Sequence, residues 1–162
     1  MRPSCRFLVV GLSLLGLGYG AAAQPTVASS SDAAARSTAP ADASVYFVAP
    51  RAGAVVSTHV HVVFGTRNFG VAPAGVSFPN TGHHHLLVDT ALPPLDQTIL
   101  ADRNHIHFGT GATETTIELP PGRHTLQLLL GDAAHVPHNP PVVSQRITIF
   151  VRAKETMQGR GR

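Results

Sequence analysis

Between positions 45 and 151 apolar and polar residues alternate in short runs, and no segment shows the 3.6-residue apolar period of an amphipathic helix. The run 58–65 is the plainest. There Val60, Val62 and Phe64 alternate with His59, His61 and Val63, the period of a strand with one buried face. Similar runs at 45–49, 83–89, 105–108, 115–119, 125–130 and 143–151 predict about seven short strands. In the last of them Ile147, Ile149 and Val151 share a face.

The punctuation between these runs agrees. The chain has 15 Gly and 13 Pro in 162 residues, no Trp and a single Cys. Pro120-Pro121-Gly122-Arg123 reads as a hairpin turn, because proline presets φ early in a turn and glycine accepts positive φ later. These features predict an all-β domain, an immunoglobulin-like β-sandwich of about seven short antiparallel strands. A core disulfide and core Trp of the antibody type are missing.

The ends of the chain read differently. Residues 1–23 predict a cleaved secretory signal peptide. Arg2 and Arg6 precede an apolar run at 7–18, and Ala21-Ala22-Ala23 offers a cleavage site. That apolar run is shorter than the ~20 residues needed to span a bilayer. The mature protein is therefore expected in the periplasm or outside the cell, without stable membrane insertion. Residues 24–44, rich in Ala, Ser, Thr and Pro, read as a flexible linker. The β-domain is assigned to 45–152, and 153–162 to a disordered tail.

Charge removes one class of function. The net charge of +3 includes Arg2 and Arg6. Without them ten Arg and Lys face nine Asp and Glu, a net of +1, and no basic stripe remains for nucleic acid. No catalytic motif of the nucleophile-elbow, P-loop or dinucleotide type is present, so a non-enzymatic role is expected.

The informative excess is histidine. All ten lie between His59 and His138. Alternation through Gly82–Asp89 puts His83, His85 and Leu87 on the water-facing side with Asp89, and His84, Leu86 and Val88 in the core. In 104–108, Ile106 and Phe108 take the core face and His105 and His107 project outward. Imidazoles at i and i+2 are about 7 Å apart along the backbone and can clamp one ion. A third pair, His135 and His138, sits in a loop stiffened by Pro137, Pro140 and Pro141. The candidate metal ligands are therefore His83, His85, His105, His107, His135 and His138. His59 and His61 rank below them, since strand alternation alone accounts for that pair. Cys5 would be lost with the signal peptide, so thiolate chemistry is not expected. Imidazole-rich sites suit Cu(II) or Zn(II). Asp89, Asp102, Glu114 and Asp132 are candidate partners that would orient the rings. The alternative expectation is a metal-free envelope module that binds a partner or ligand, and a lesser one is a metal-dependent enzyme.

Several stretches together resemble a known family: Pro79-Asn80-Thr81-Gly82-His83-His84-His85-Leu86-Leu87, His105-Ile106-His107-Phe108-Gly109, Leu119-Pro120-Pro121-Gly122 and His135-Val136-Pro137-His138. The chain resembles the secreted bacterial domain of unknown function 4399 across 45–151. That resemblance implies a periplasmic domain and brings no activity with it. The stretch 49–56 is similar to the start of periplasmic copper-resistance sandwich proteins. His59-Val60-His61 with Phe64-Gly65 resembles copper–zinc superoxide dismutase, but the disulfide of that family has no counterpart here.

Overall fold

The computed structural model describes residues 36–153. The expected signal peptide and most of the expected tail lie outside them. Among the described residues there is no helix, and hence none long and apolar enough to cross a membrane. The backbone forms nine strands: β1 (Ser44–Ala49), β2 (Val55–Ser57), β3 (His59–Arg67), β4 (Gly70–Val71), β5 (Thr81–Val88), β6 (His105–His107), β7 (Glu114–Glu118), β8 (Gly122–Gly131) and β9 (Ile147–Arg152). Seven of these match the alternating runs. β2 and β4 are additional strands, too short to show a period.

One sheet has the order β1-β3-β7, and the other the order β2-β9-β8-β5-β4, with β6 also paired to β5. Most pairings are antiparallel, but β2–β9 and β4–β5 are parallel, which corrects the all-antiparallel expectation. The turn expected at 120–123 is also corrected. β7 pairs with β3, whereas β8 pairs with β5 and β9, so the Pro-Pro-Gly segment carries the chain from one sheet to the other instead of closing a hairpin. Gly122 turns that corner at φ 151°, in the region that favours glycine.

The alternation explains the core. Val60, Val62 and Phe64 of β3 and Ile117 of β7 meet Leu86 and Val88 of β5, Leu126, Leu128 and Leu130 of β8, and Ile147 and Ile149 of β9 in one buried cluster fed by both sheets. A smaller cluster of Leu87, Ile99 and Leu129 lies on the opposite face of β5 and β8, with Leu95 and Val143 packed against it. β5 and β8 are thus buried on both faces, which is why 128–130 is an unbroken Leu triplet. Segment 143–146 does not extend β9. Instead Ser144 and Leu128 exchange hydrogen bonds, with the Leu128 N–H donating to Ser144 Oγ and the Ser144 N–H to the Leu128 carbonyl.

This second buried face corrects the expectation that His83, His85 and Leu87 look into water. Asp89 has φ 53° and ends the strand, so its exposure says nothing about the side on which the preceding odd-numbered residues lie. The described part of the expected linker is also ordered by contacts. Thr38 forms a bridge with Asn139, Ala39 is buried, and the Arg36 guanidinium donates to the carbonyls of Pro137 and His138.

The backbones of β5 and β8 approach closely where His83 faces Gly131. A Cβ on Gly82 would stand 2.5 Å from the Gly131 carbonyl oxygen and 2.8 Å from His138 Cε1. Gly82→Ala is therefore expected to destabilise the domain by about 1–3 kcal/mol, the usual cost of overpacking. Urea unfolding should show a lowered midpoint with an unchanged slope.

Candidate metal centre

Four imidazoles converge on the loop-covered face of the larger sheet. His83 and His85 come from alternate positions of β5 and are fully buried. His107 comes from β6, which the register sets directly opposite His85. His135 comes from the loop after β8. Ring centroids are 4.9 Å apart for His83–His85, His83–His107 and His83–His135, 5.0 Å for His85–His107 and 4.7 Å for His107–His135. Only His85–His135 is longer, at 6.1 Å. His83, His107 and His135 each offer a nitrogen within 4.8 Å of the others. His85 Nε2 lies 3.1 Å from His83 Nε2.

Two glycines make room for the rings. A Cβ on Gly109 would collide with His107 Cε1. One on Gly131 would stand 3.0 Å from His85 Nε2 and 3.4 Å from the His135 Cα. The sequence carried this signal in the Gly that closes the His105–Gly109 stretch and the Gly that ends β8, but only the fold shows which rings they face.

His135 is aimed by its backbone. Its φ of 65° is left-handed, a conformation that costs a residue with a Cβ unless the surroundings hold it. Asp132 does so. Its carboxylate accepts from the Ala134 and Val136 N–H groups at 2.9 and 3.0 Å and from Ser37 Oγ at 2.7 Å, and its carbonyl accepts from the His135 N–H. Burial opposes the charge on Asp132, but these bonds outweigh it and hold the carboxyl below its usual range. Asp132 is thus a fixed negative charge beside the cluster.

Burial and mutual repulsion hold His83, His85 and His107 below the ordinary imidazole range. Burial, then repulsion from His135 and His107, lowers His83 to about 4. Burial, then His83, His107 and His135, lowers His85 to about 3. His107 is lowered in the same way, by burial and by His135. His83 Nδ1, His85 Nδ1 and His107 Nε2 are buried without a hydrogen-bond partner. Unpartnered buried nitrogens are costly and uncommon, and three in one imidazole cluster form a donor set for a soft or borderline cation.

The other candidate histidines lie elsewhere. Register sets His105 opposite Leu87, two residues along β5 from the cluster position, and its Nδ1 is 3.0 Å from Asp102 Oδ1. The two members of that H-x-H pair therefore do not converge. Nor do His135 and His138. The His138 ring packs edge-on against Phe69 at 5.0 Å, with its nitrogens near the carbonyls of Thr81 and Leu130. His84 faces the core as expected, 4.9 Å from the Phe64 ring, and burial lowers it to about 4. His124 meets Asp89 at 2.6 Å and the Pro120 carbonyl at 2.9 Å. Burial acts against its charge, but these partners prevail and raise its pKa. His59 and His61 are exposed on β3, with His61 3.4 Å from Glu114. Of the expected acidic partners, only Asp132 belongs to the cluster's own loop.

A family model described as Domain of unknown function (DUF4399) matches residues 62–152, more than half of the chain. The chain belongs to this family. No curated protein and no solved structure matches it. The span shared with DUF4399 contains β5, β6 and β8, both ring-facing glycines and all four clustered histidines. His59, His61 and the segment 36–39 that clasps the Asp132 loop fall outside it.

Proposed function

We propose that this DUF4399 protein binds a divalent transition metal, Cu(II) or Zn(II), through the imidazole cluster of His83, His85, His107 and His135, and serves as a carrier or buffer without catalysing a reaction. The observation that carries this reading is the convergence of four imidazoles in which three buried nitrogens, His83 Nδ1, His85 Nδ1 and His107 Nε2, lack a protein partner. Imidazole is the commonest metal ligand, and an all-nitrogen donor set favours Cu(II) and Zn(II) over hard cations.

Two further elements belong to the proposal. The apolar run at 7–18 with Ala21-Ala22-Ala23 supports export to the periplasm or beyond by a signal peptide. The core shared by both sheets supports an immunoglobulin-like β-sandwich as the architecture.

The test is titration calorimetry of tag-free protein at pH 7. One equivalent of Cu(II) or Zn(II) is expected to bind saturably. The double variant His107→Ala, His135→Ala should lose this binding. His105→Ala and the double variant His59→Ala, His61→Ala should keep it. Absence of saturable binding by the wild type would reject the metal reading in favour of a metal-free recognition module.

A further inference from the structure

The four rings of the cluster are not equivalent, and, on the metal reading above, their differences define the coordination sphere. His83, His107 and His135 form a mutually close donor set, and His85 is not part of it. His85 instead meets His83 through the 3.1 Å ring–ring hydrogen bond, and its ring lies 6.1 Å from that of His135. A metal-bound imidazole ordinarily donates its second ring N–H to an outer acceptor, which sets the tautomer and the orientation of the ring. His85 Nε2 stands in that place for His83. In the tautomer in which His83 Nε2 donates to His85 Nε2, the buried and unpartnered Nδ1 of His83 keeps its lone pair for the metal.

The geometry points to an inner set of three imidazoles, from His83, His107 and His135, with His85 as a positioning residue and one coordination position left for a small exogenous donor, water or hydroxide in solution and a small anion when one is present. Three protein nitrogens and one exchangeable position form the usual open arrangement of a four-coordinate site, whereas closed structural sites take all four donors from protein. Burial gives the open position a direction. His83 and His85 are fully buried, while His107 and His135 are only partly so, and solvent therefore reaches the cluster from the side of β6 and the Asp132 loop. The glycines fit the same picture. Gly109 and Gly131 supply backbone without Cβ atoms against His107 and His85, so the rings pack inward and no side chain at these two positions competes for space.

The experiment uses Co(II) as a spectroscopic stand-in for Zn(II) and azide as the exogenous ligand, with the tag-free full chain. Wild-type protein is expected to bind one Co(II), and its visible d–d bands should shift saturably on azide titration. His85→Ala should still bind one Co(II), about 10–100-fold more weakly, as is usual when an outer partner is removed, and should keep its azide response. His83→Ala should lose stoichiometric Co(II). A wild-type Co(II) spectrum that azide leaves unchanged would mean that protein fills every position, and would overturn this inference while leaving the metal reading standing. Loss of stoichiometric Co(II) from a folded His85→Ala variant would overturn it equally, by making His85 a ligand. The azide arm uses wild-type protein and so is independent of how any variant folds. No Co(II) binding by wild type would remove the metal reading itself, and this inference with it.

Discussion

Metal-free protein is expected to unfold on mild acidification, losing most of its stability between pH 6.5 and pH 4. The cause is the consecutive run His83, His84 and His85, all fully buried and held neutral. Burial is the leading cause of lowered proton affinity in each, to about 4 for His83 and His84 and about 3 for His85. The unfolded chain binds these protons near pH 6.5, so as pH falls below that value the unfolded state takes up protons that the folded state does not. The stability tied to these groups is thus fully present above pH 6.5 and is lost as pH falls toward the folded values. Each pH unit of separation is worth about 1.4 kcal/mol per group, so the run contributes on the order of several kcal/mol. That is a large fraction of the about 5–15 kcal/mol total typical of a domain. Urea midpoints measured from pH 7 to pH 4 should fall steeply. A flat profile down to pH 5 would contradict the burial of these rings. His84→Leu separates the contributions. His84 faces the core with both ring nitrogens unpartnered, so an apolar side chain should be neutral or stabilising at pH 7 and should move the acid transition to lower pH.

Zinc should oppose this transition and raise the melting temperature by roughly 10 °C. A ligand that binds only the folded state stabilises by about 2.7 kcal/mol at a free concentration 100 times Kd. For a domain of this size a kilocalorie per mole corresponds to about 3–6 °C. Scanning calorimetry with and without Zn(II) is the measurement. The double variant His107→Ala, His135→Ala should show no zinc-dependent increment. An increment that survives in this variant would place the site elsewhere on the chain.

Much of the strand layout is legible in the sequence. Val60, Val62 and Phe64 against His59 and His61 place one face of β3 in the core and the other in water, and both are found there. Leu126, Leu128 and Leu130, with Ile147 and Ile149, mark their buried faces equally well. His84 is separated from His83 and His85 by the same two-residue period. These features are local: the direction of a side chain from a strand depends only on its position along that strand. β2 and β4 were not legible because two or three residues cannot display a period, and their parallel partners lie far away or across a turn.

Which histidines meet was decided by tertiary structure. The motif H-x-H suggests that His105 and His107 act together, but register against β5 sets one beside Leu87 and the other beside His85. A strand pairing is a long-range fact, and it leaves the His105 ring on Asp102 while it brings the His107 ring against His85 and His83. The pair His135 and His138 is divided by a left-handed residue that turns the first ring toward β5, while the second packs on Phe69. The burial of His83 and His85 also comes from the fold, because the loops over β5 and β8 cover a face that alternation alone would leave to water. By itself the sequence determined that the domain is all-β, that His84 points inward, and that histidine is the over-represented side chain with metal-binding chemistry. Only the folded chain decided that His83, His85, His107 and His135 share one site, since strand register, loop coverage and backbone handedness arise from contacts between residues distant in sequence.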